Sequence, residues 1–161
     1  MLTVVCWKWS SSGNWKQYGA EHVNVMRAML ERHLHVPHRL VCFTDDPSGI
    51  SRHVEALPLR AGAAPVPQFE RMPLRNCFRK LGLFGPHMAE ICGDRVLQLD
   101  LDQVIVGDIT PLVTRDEDLV IWRSPSRGRR GWALNTSVVL LRTNARRDIW
   151  DQYIADPAEL A

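Results

Sequence analysis

The chain has 161 residues, 45% hydrophobic and 24% charged, with 20 Lys and Arg against 18 Asp and Glu for a net charge of +2. That composition describes one folded domain with enough apolar surface to bury a core, and it excludes disordered, collagen-like and low-complexity chains. Because basic and acidic residues are interspersed, charge makes no general case for nucleic acid or membrane lipid as a partner, and nucleic acid is not expected.

Leu2 to Trp9 is an apolar, β-branched run that halts at Ser10-Ser11-Ser12-Gly13-Asn14, which predicts a strand followed by a loop. It lacks the basic leader of a signal peptide. Val23, Met26, Met29, Leu30 and Leu34 recur at helical spacing and predict a helix over 18–35, stopped by Pro37. Residues 39–44 (RLVCFT) predict a second strand, closed by the turn residues Asp45-Asp46-Pro47-Ser48-Gly49, and residues 54–59 a third. The proline-bearing stretch 61–73 reads as a surface loop or lid, and 74–92 as two short helices around Gly85-Pro86.

Residues 95–99 (RVLQL) predict a strand running into Asp100-Leu101-Asp102, with 104–109 continuing extended. Residues 119–122 and 132–142 predict further strands, Arg127 to Arg130 a basic loop, and 144–154 a helix. Alternating strands and helices imply an α/β sandwich, a mostly parallel sheet with helices on both faces. No apolar run approaches the roughly 18 residues of a membrane-spanning helix. Cys6, Cys42, Cys77 and Cys92 stand singly at wide spacing, so reduced thiols and a cytoplasmic location are expected.

Asp100 and Asp102 lie two apart at a strand end, which puts both side chains on one face if the backbone stays extended. At ~4 Å and an effective dielectric constant of about 20, two such carboxylates repel by about 4 kcal/mol, so a cation is the natural remedy. Hard oxygen donors select Mg²⁺ or Mn²⁺, which leave positions open for water and phosphate. The tripeptide alone is common, and two aspartates capping a solvated turn explain it equally well.

The surrounding blocks add to this. TVVCW, LVCFTDD, FRKLGLF, VLQLDLDQVIVGDITPL and ALNTSVVLLR occur in that order over nearly the whole chain. Together they resemble family 8 glycosyltransferases of the glycogenin and lipopolysaccharide-galactosyltransferase type. The resemblance implies one GT-A nucleotide-sugar-binding domain over 1–161, C-terminally incomplete relative to the family, with a UDP-sugar donor, retention of configuration and a carbohydrate, lipid or protein acceptor. It also implies that Asp100 and Asp102 hold Mn²⁺ or Mg²⁺ and that Lys80 reaches the donor's phosphates or sugar hydroxyls. Asn135, Thr136 and Ser137 would face the donor sugar. Cys6, Trp7 and the loop to Ser11 would approach the base and ribose, Asp45 or Asp46 would lie near the base, and Leu101 would sit between the two aspartates beside the donor.

The chain departs from the family in two respects. The family's third metal ligand, commonly a histidine, comes from a segment after the NTS strand, whereas His22, His33, His35, His38, His53 and His87 all precede the aspartates. Thr136-Ser137 stands where Ser-Gly is usual. A non-catalytic or truncated sugar-nucleotide-binding module is therefore a second reading. A phosphatase of the haloacid dehalogenase type is a third, but its Asp-x-Asp belongs in the first strand with a threonine two places on, where Val104 stands.

Overall fold

The computed structural model describes residues 1–10, 17–65, 75–123 and 134–156. Its frame is a six-stranded sheet built from β1 (Leu2–Lys8), β2 (His38–Thr44), β3 (Glu55–Pro58), β4 (Arg95–Leu99), β5 (Leu119–Arg123) and β6 (Leu134–Arg142). The spatial order is β3-β2-β1-β4-β6-β5. The first four strands are parallel, while β6 runs antiparallel to both β4 and β5. The sheet is thus mostly parallel, as expected, with a single reversed strand.

Alternation along β1 divides the core into two layers. Leu2, Val4 and Cys6 join Leu40, Cys42, Leu97, Leu99 and Leu140 under helix α1 (Ala20–His33), which contributes Val23, Met26 and Leu30. Val5 and Trp7 point the other way, with Val41, Phe43, Val96, Val139 and Leu141. That second face is covered by α2 (Leu59–Gly62), a 3₁₀ segment (Arg75–Phe84), α3 (Met88–Cys92) and α5 (Arg147–Ala155). A further turn of helix, α4 (Thr110–Val113), closes the first layer through Val113. All seven residues of β1 are buried, as a strand paired on both edges and covered on both faces must be.

Several boundaries differ from expectation. A helical turn, α2, occupies the start of the 61–73 stretch, of which 66–73 lie outside the described residues. Residues 104–109 do not extend β4, because the chain turns at Asp100, with Gln103 N donating to Asp100 O at 3.1 Å. They run instead alongside α1, where Ile109 N donates to His33 O at 2.9 Å. The last helix starts at Arg147 instead of 144 because Asn144 adopts a left-handed φ of 66°. The basic loop Arg127 to Arg130 lies outside the described residues.

All four cysteines are free, three buried and Cys77 exposed. No helix among the described residues is long and apolar enough to cross a membrane.

Candidate functional site

The strand order sets the location. From β1 the chain winds outward through α1 to β2 and β3, and then returns to place β4 on the other side of β1. The carboxyl ends of β1 and β4 therefore flank a topological switch point, where an open α/β sheet leaves a crevice. Lys8, Trp9 and Ser10 lie on one side of it, and Asp100, Leu101 and Asp102 on the other.

The two aspartates take their partners from opposite layers. Asp100 follows β4 directly and keeps its register, its N–H donating to Ser137 O at 2.9 Å. Its carboxylate turns to the 3₁₀ face, where Oδ1 accepts from Lys80 Nζ at 2.6 Å and from Gln98 Nε2 at 2.7 Å. Gln98 is 1% exposed, and the Asp100 and Lys80 side chains are each 19% exposed, so the ion pair is shielded from solvent screening. Asp102 is exposed, and its Oδ2 accepts from the Tyr18 hydroxyl at 3.2 Å. The extended geometry that would put both side chains on one face is thus replaced by a turn, which swings Leu101 into the α1 layer and Asp102 after it. The carboxylates nonetheless remain electrostatic neighbours: burial, the Asp102 charge and hydrogen bond, and the Asp100 charge together raise the Tyr18 hydroxyl above its ordinary pKa.

The remaining expected site residues are distributed around this pair. Lys80 sits on the 3₁₀ segment against Asp100, not in solvent. Cys6 and Trp7 are buried at 0% and 4% exposure, Trp7 stacked on Phe43 with centroids 4.7 Å apart, so their side chains belong to the core. Asp45 accepts from Ser10 N through both carboxylate oxygens, at 2.9 and 3.1 Å, tying the segment after β1 to the turn after β2. Lys8 Nζ reinforces this clasp by donating to Asp46 O at 2.7 Å. Leu101 is buried against α1. On β6, Asn135 Oδ1 accepts from Ser137 N at 2.8 Å, while Thr136 is exposed. Ser11 lies outside the described residues.

Two contributors, Tyr18 and Gln98, escaped the sequence reading, and Lys8 is expected only as part of the span from Cys6 to Ser11. Tyr18 carries no signal except its position before α1, Lys8 reads as the polar break in an apolar strand, and Gln98 is an amide in an otherwise apolar one. With Trp9, Ser10, Glu21 and Asp46, Lys8 and Tyr18 line a cavity of ≈ 340 Å³ beside the pair. A second cavity, ≈ 680 Å³, opens at the ends of β2 and β3 between Thr44, Asp45, Arg60 and Arg79.

The donor set suits a hard cation in kind, since Oδ2 of Asp100 has no hydrogen-bond donor among the described residues and Asp102 faces solvent. It is incomplete in number: no group of three or more His, Cys, Asp or Glu able to hold a metal occurs among the described residues. Such a site leaves the rest of a coordination shell to water and ligand.

No protein-family model matches the chain, and no curated protein matches it. Solved structures do. An active-site mutant of LgtC superposes over 95% of this chain with a TM-score of 0.57 at 20% identity. The galactosyltransferase LgtC in complex with donor and acceptor sugar analogues superposes over 95%, with a TM-score of 0.53 at 18% identity. The glycosyltransferase GlyE of Streptococcus pneumoniae TIGR4 superposes over 100%, with a TM-score of 0.58 at 16% identity. The fold is that of the GT-A glycosyltransferases. This GT-A chain spans 62% and 63% of the two LgtC chains and 40% of GlyE. Its placement of Asp100-Leu101-Asp102 after the fourth strand also removes the haloacid dehalogenase reading, which needs the pair at the end of the first.

Proposed function

We propose that the chain is the donor-binding domain of a metal-dependent hexosyltransferase, taking a UDP-sugar with Mn²⁺ or Mg²⁺ and transferring the sugar with retention to a carbohydrate, lipid or protein acceptor. The observation that carries this reading is the pairing of Asp100 with Lys80 and Gln98, beside Asp102 with Tyr18, at the switch point of the sheet. The GT-A fold and the sugar analogues bound by LgtC support it.

In this reading Asp100, whose Oδ2 has no donor among the described residues, and Asp102 would hold the divalent ion. When bound, the ion supplies a Lewis acid that takes up charge on the departing diphosphate. Lys80, held at 2.6 Å from Asp100, would share that charge, which grows as the glycosidic bond breaks. The clasp formed by Lys8, Ser10, Asp45 and Asp46 shapes the entrance for the nucleoside, with Cys6 and Trp7 contributing backbone and Leu101 spacing the aspartates. Asn135, Thr136 and Ser137, on the strand beside Asp100, supply amide and hydroxyl groups for the donor sugar's hydroxyls. Three buried free thiols suit a reducing, cytoplasmic setting.

A second reading, a module that binds the sugar nucleotide without transferring the sugar, is favoured by the incomplete donor set among the described residues. Calorimetric titration of UDP with and without Mn²⁺ tests both. Wild-type chain is expected to bind UDP more tightly with Mn²⁺ and Asp102→Asn to lose that gain; equal affinity with and without the metal sinks the assignment. Release of free sugar from a UDP-hexose separates enzyme from module.

A further inference from the structure

Resting on the donor-binding reading, we propose that Lys80 is an internal counter-ion that exchanges partners: it neutralises Asp100 in the ligand-free chain and passes to the diphosphate when nucleotide and metal arrive together. Oδ1 of Asp100 accepts two donors at once, Lys80 Nζ at 2.6 Å and Gln98 Nε2 at 2.7 Å. The two donors differ in kind. Gln98 is 1% exposed near the carboxyl end of β4, where it is held by pairing with Val139, whereas Lys80 is on a long flexible stem from the 3₁₀ segment, with 19% of its side chain in solvent. One donor is built to stay and the other can leave.

The pairing has a consequence for binding order. With Lys80 against Asp100, a divalent cation approaching alone meets a site whose more buried carboxylate already has a cation, and it must either displace the ammonium or bind beside it. A diphosphate removes this conflict, because it offers the ammonium a new anionic partner and offers the metal its own oxygens. Throughout the exchange Gln98 keeps the carboxylate in place, so Oδ2 remains directed where it was. Metal and nucleotide therefore strengthen each other's binding, and by linkage the gain is the same in either direction.

The test is electron paramagnetic resonance titration of Mn²⁺, with and without UDP, on wild type, Lys80→Met and Lys80→Arg, each checked for folding by circular dichroism. Wild type is expected to bind Mn²⁺ weakly alone and more tightly with UDP. Lys80→Met is expected to bind Mn²⁺ alone about tenfold more tightly than wild type and to lose most of the coupling to UDP, while Lys80→Arg keeps the wild-type pattern. If Lys80→Met does not fold, Lys80→Gln takes its place. Unchanged or weaker affinity of the neutral variant for Mn²⁺ alone, in a wild type that shows Mn²⁺-dependent UDP binding, overturns the exchange and leaves the donor-binding reading standing. No Mn²⁺-dependent UDP binding in wild type overturns both.

Discussion

Gly82 lies two residues beyond Lys80, and the close approach of its backbone to α2 is what sets the depth of the 3₁₀ segment. A Cβ at this position would lie 1.7 Å from Gly62 O and 2.8 Å from Ala64 N. Both obstacles are backbone, and Gly62 cannot retreat because its own Cβ position is already 2.6 Å from the Phe43 ring. Ala64 N also donates to Arg79 O at 3.0 Å, so the two segments are joined where they would have to part. Overpacking a core by one methyl costs typically 1–3 kcal/mol, and with no side chain able to yield, Gly82→Ala is expected to cost about 3 kcal/mol or more. Urea unfolding followed by circular dichroism reads this directly: at a slope of about 2 kcal/mol/M, the midpoint falls by about 1.5 M. Gly107, where an added Cβ meets nothing within 4 Å, supplies the control, and Gly107→Ala is expected to stay within about 0.5 kcal/mol of wild type. A Gly82→Ala midpoint indistinguishable from that of Gly107→Ala would refute the argument that this close approach supports Lys80.

Thr3 is 1% exposed, and its hydroxyl donates to Cys92 O at 2.7 Å while accepting from Arg39 Nε at 3.2 Å, so Thr3→Val is expected to lower stability by about 1–3 kcal/mol in the same urea assay despite its matched shape. Of the four thiols only Cys77 is exposed, and titration with a disulfide reagent at neutral pH should find one fast-reacting thiol per native chain; two or more would contradict the burial of Cys6, Cys42 and Cys92. Burial pushes the Cys92 thiol from 9.0 up to about 11, so the folded chain holds this proton where the unfolded chain releases it. That stabilisation is complete below 9.0 and is lost as the pH rises towards 11, and Cys92→Ala should flatten this part of the stability profile.

Much of the frame was legible because parallel, doubly covered strands are written as near-continuous apolar runs, and β1, β2 and β4 are such runs. The reversal of β6 was not, since an apolar run carries no direction, and only the register in the folded sheet, from Arg95 opposite Arg142 to Leu99 opposite Val138, reveals it. The acidic pair was visible as a doublet, and Lys80 through the block around it. Their connection was not visible, nor was Tyr18, because the Tyr18 to Asp102 contact joins residues 84 apart. Expecting 104–109 to extend was a periodicity error: Val104 and Val106 alternate like strand residues but are exposed, 74% and 88%, on a segment held by α1 instead of by a neighbouring strand.

The place of β1 has a consequence for biosynthesis. This strand is synthesised before β4, and one of its two edges stays open until residues 96–98 emerge to pair with Thr3, Val4 and Val5. During that interval a largely apolar strand with an unpaired edge is available to any other nascent chain, so premature termination between β3 and β4 should yield insoluble product.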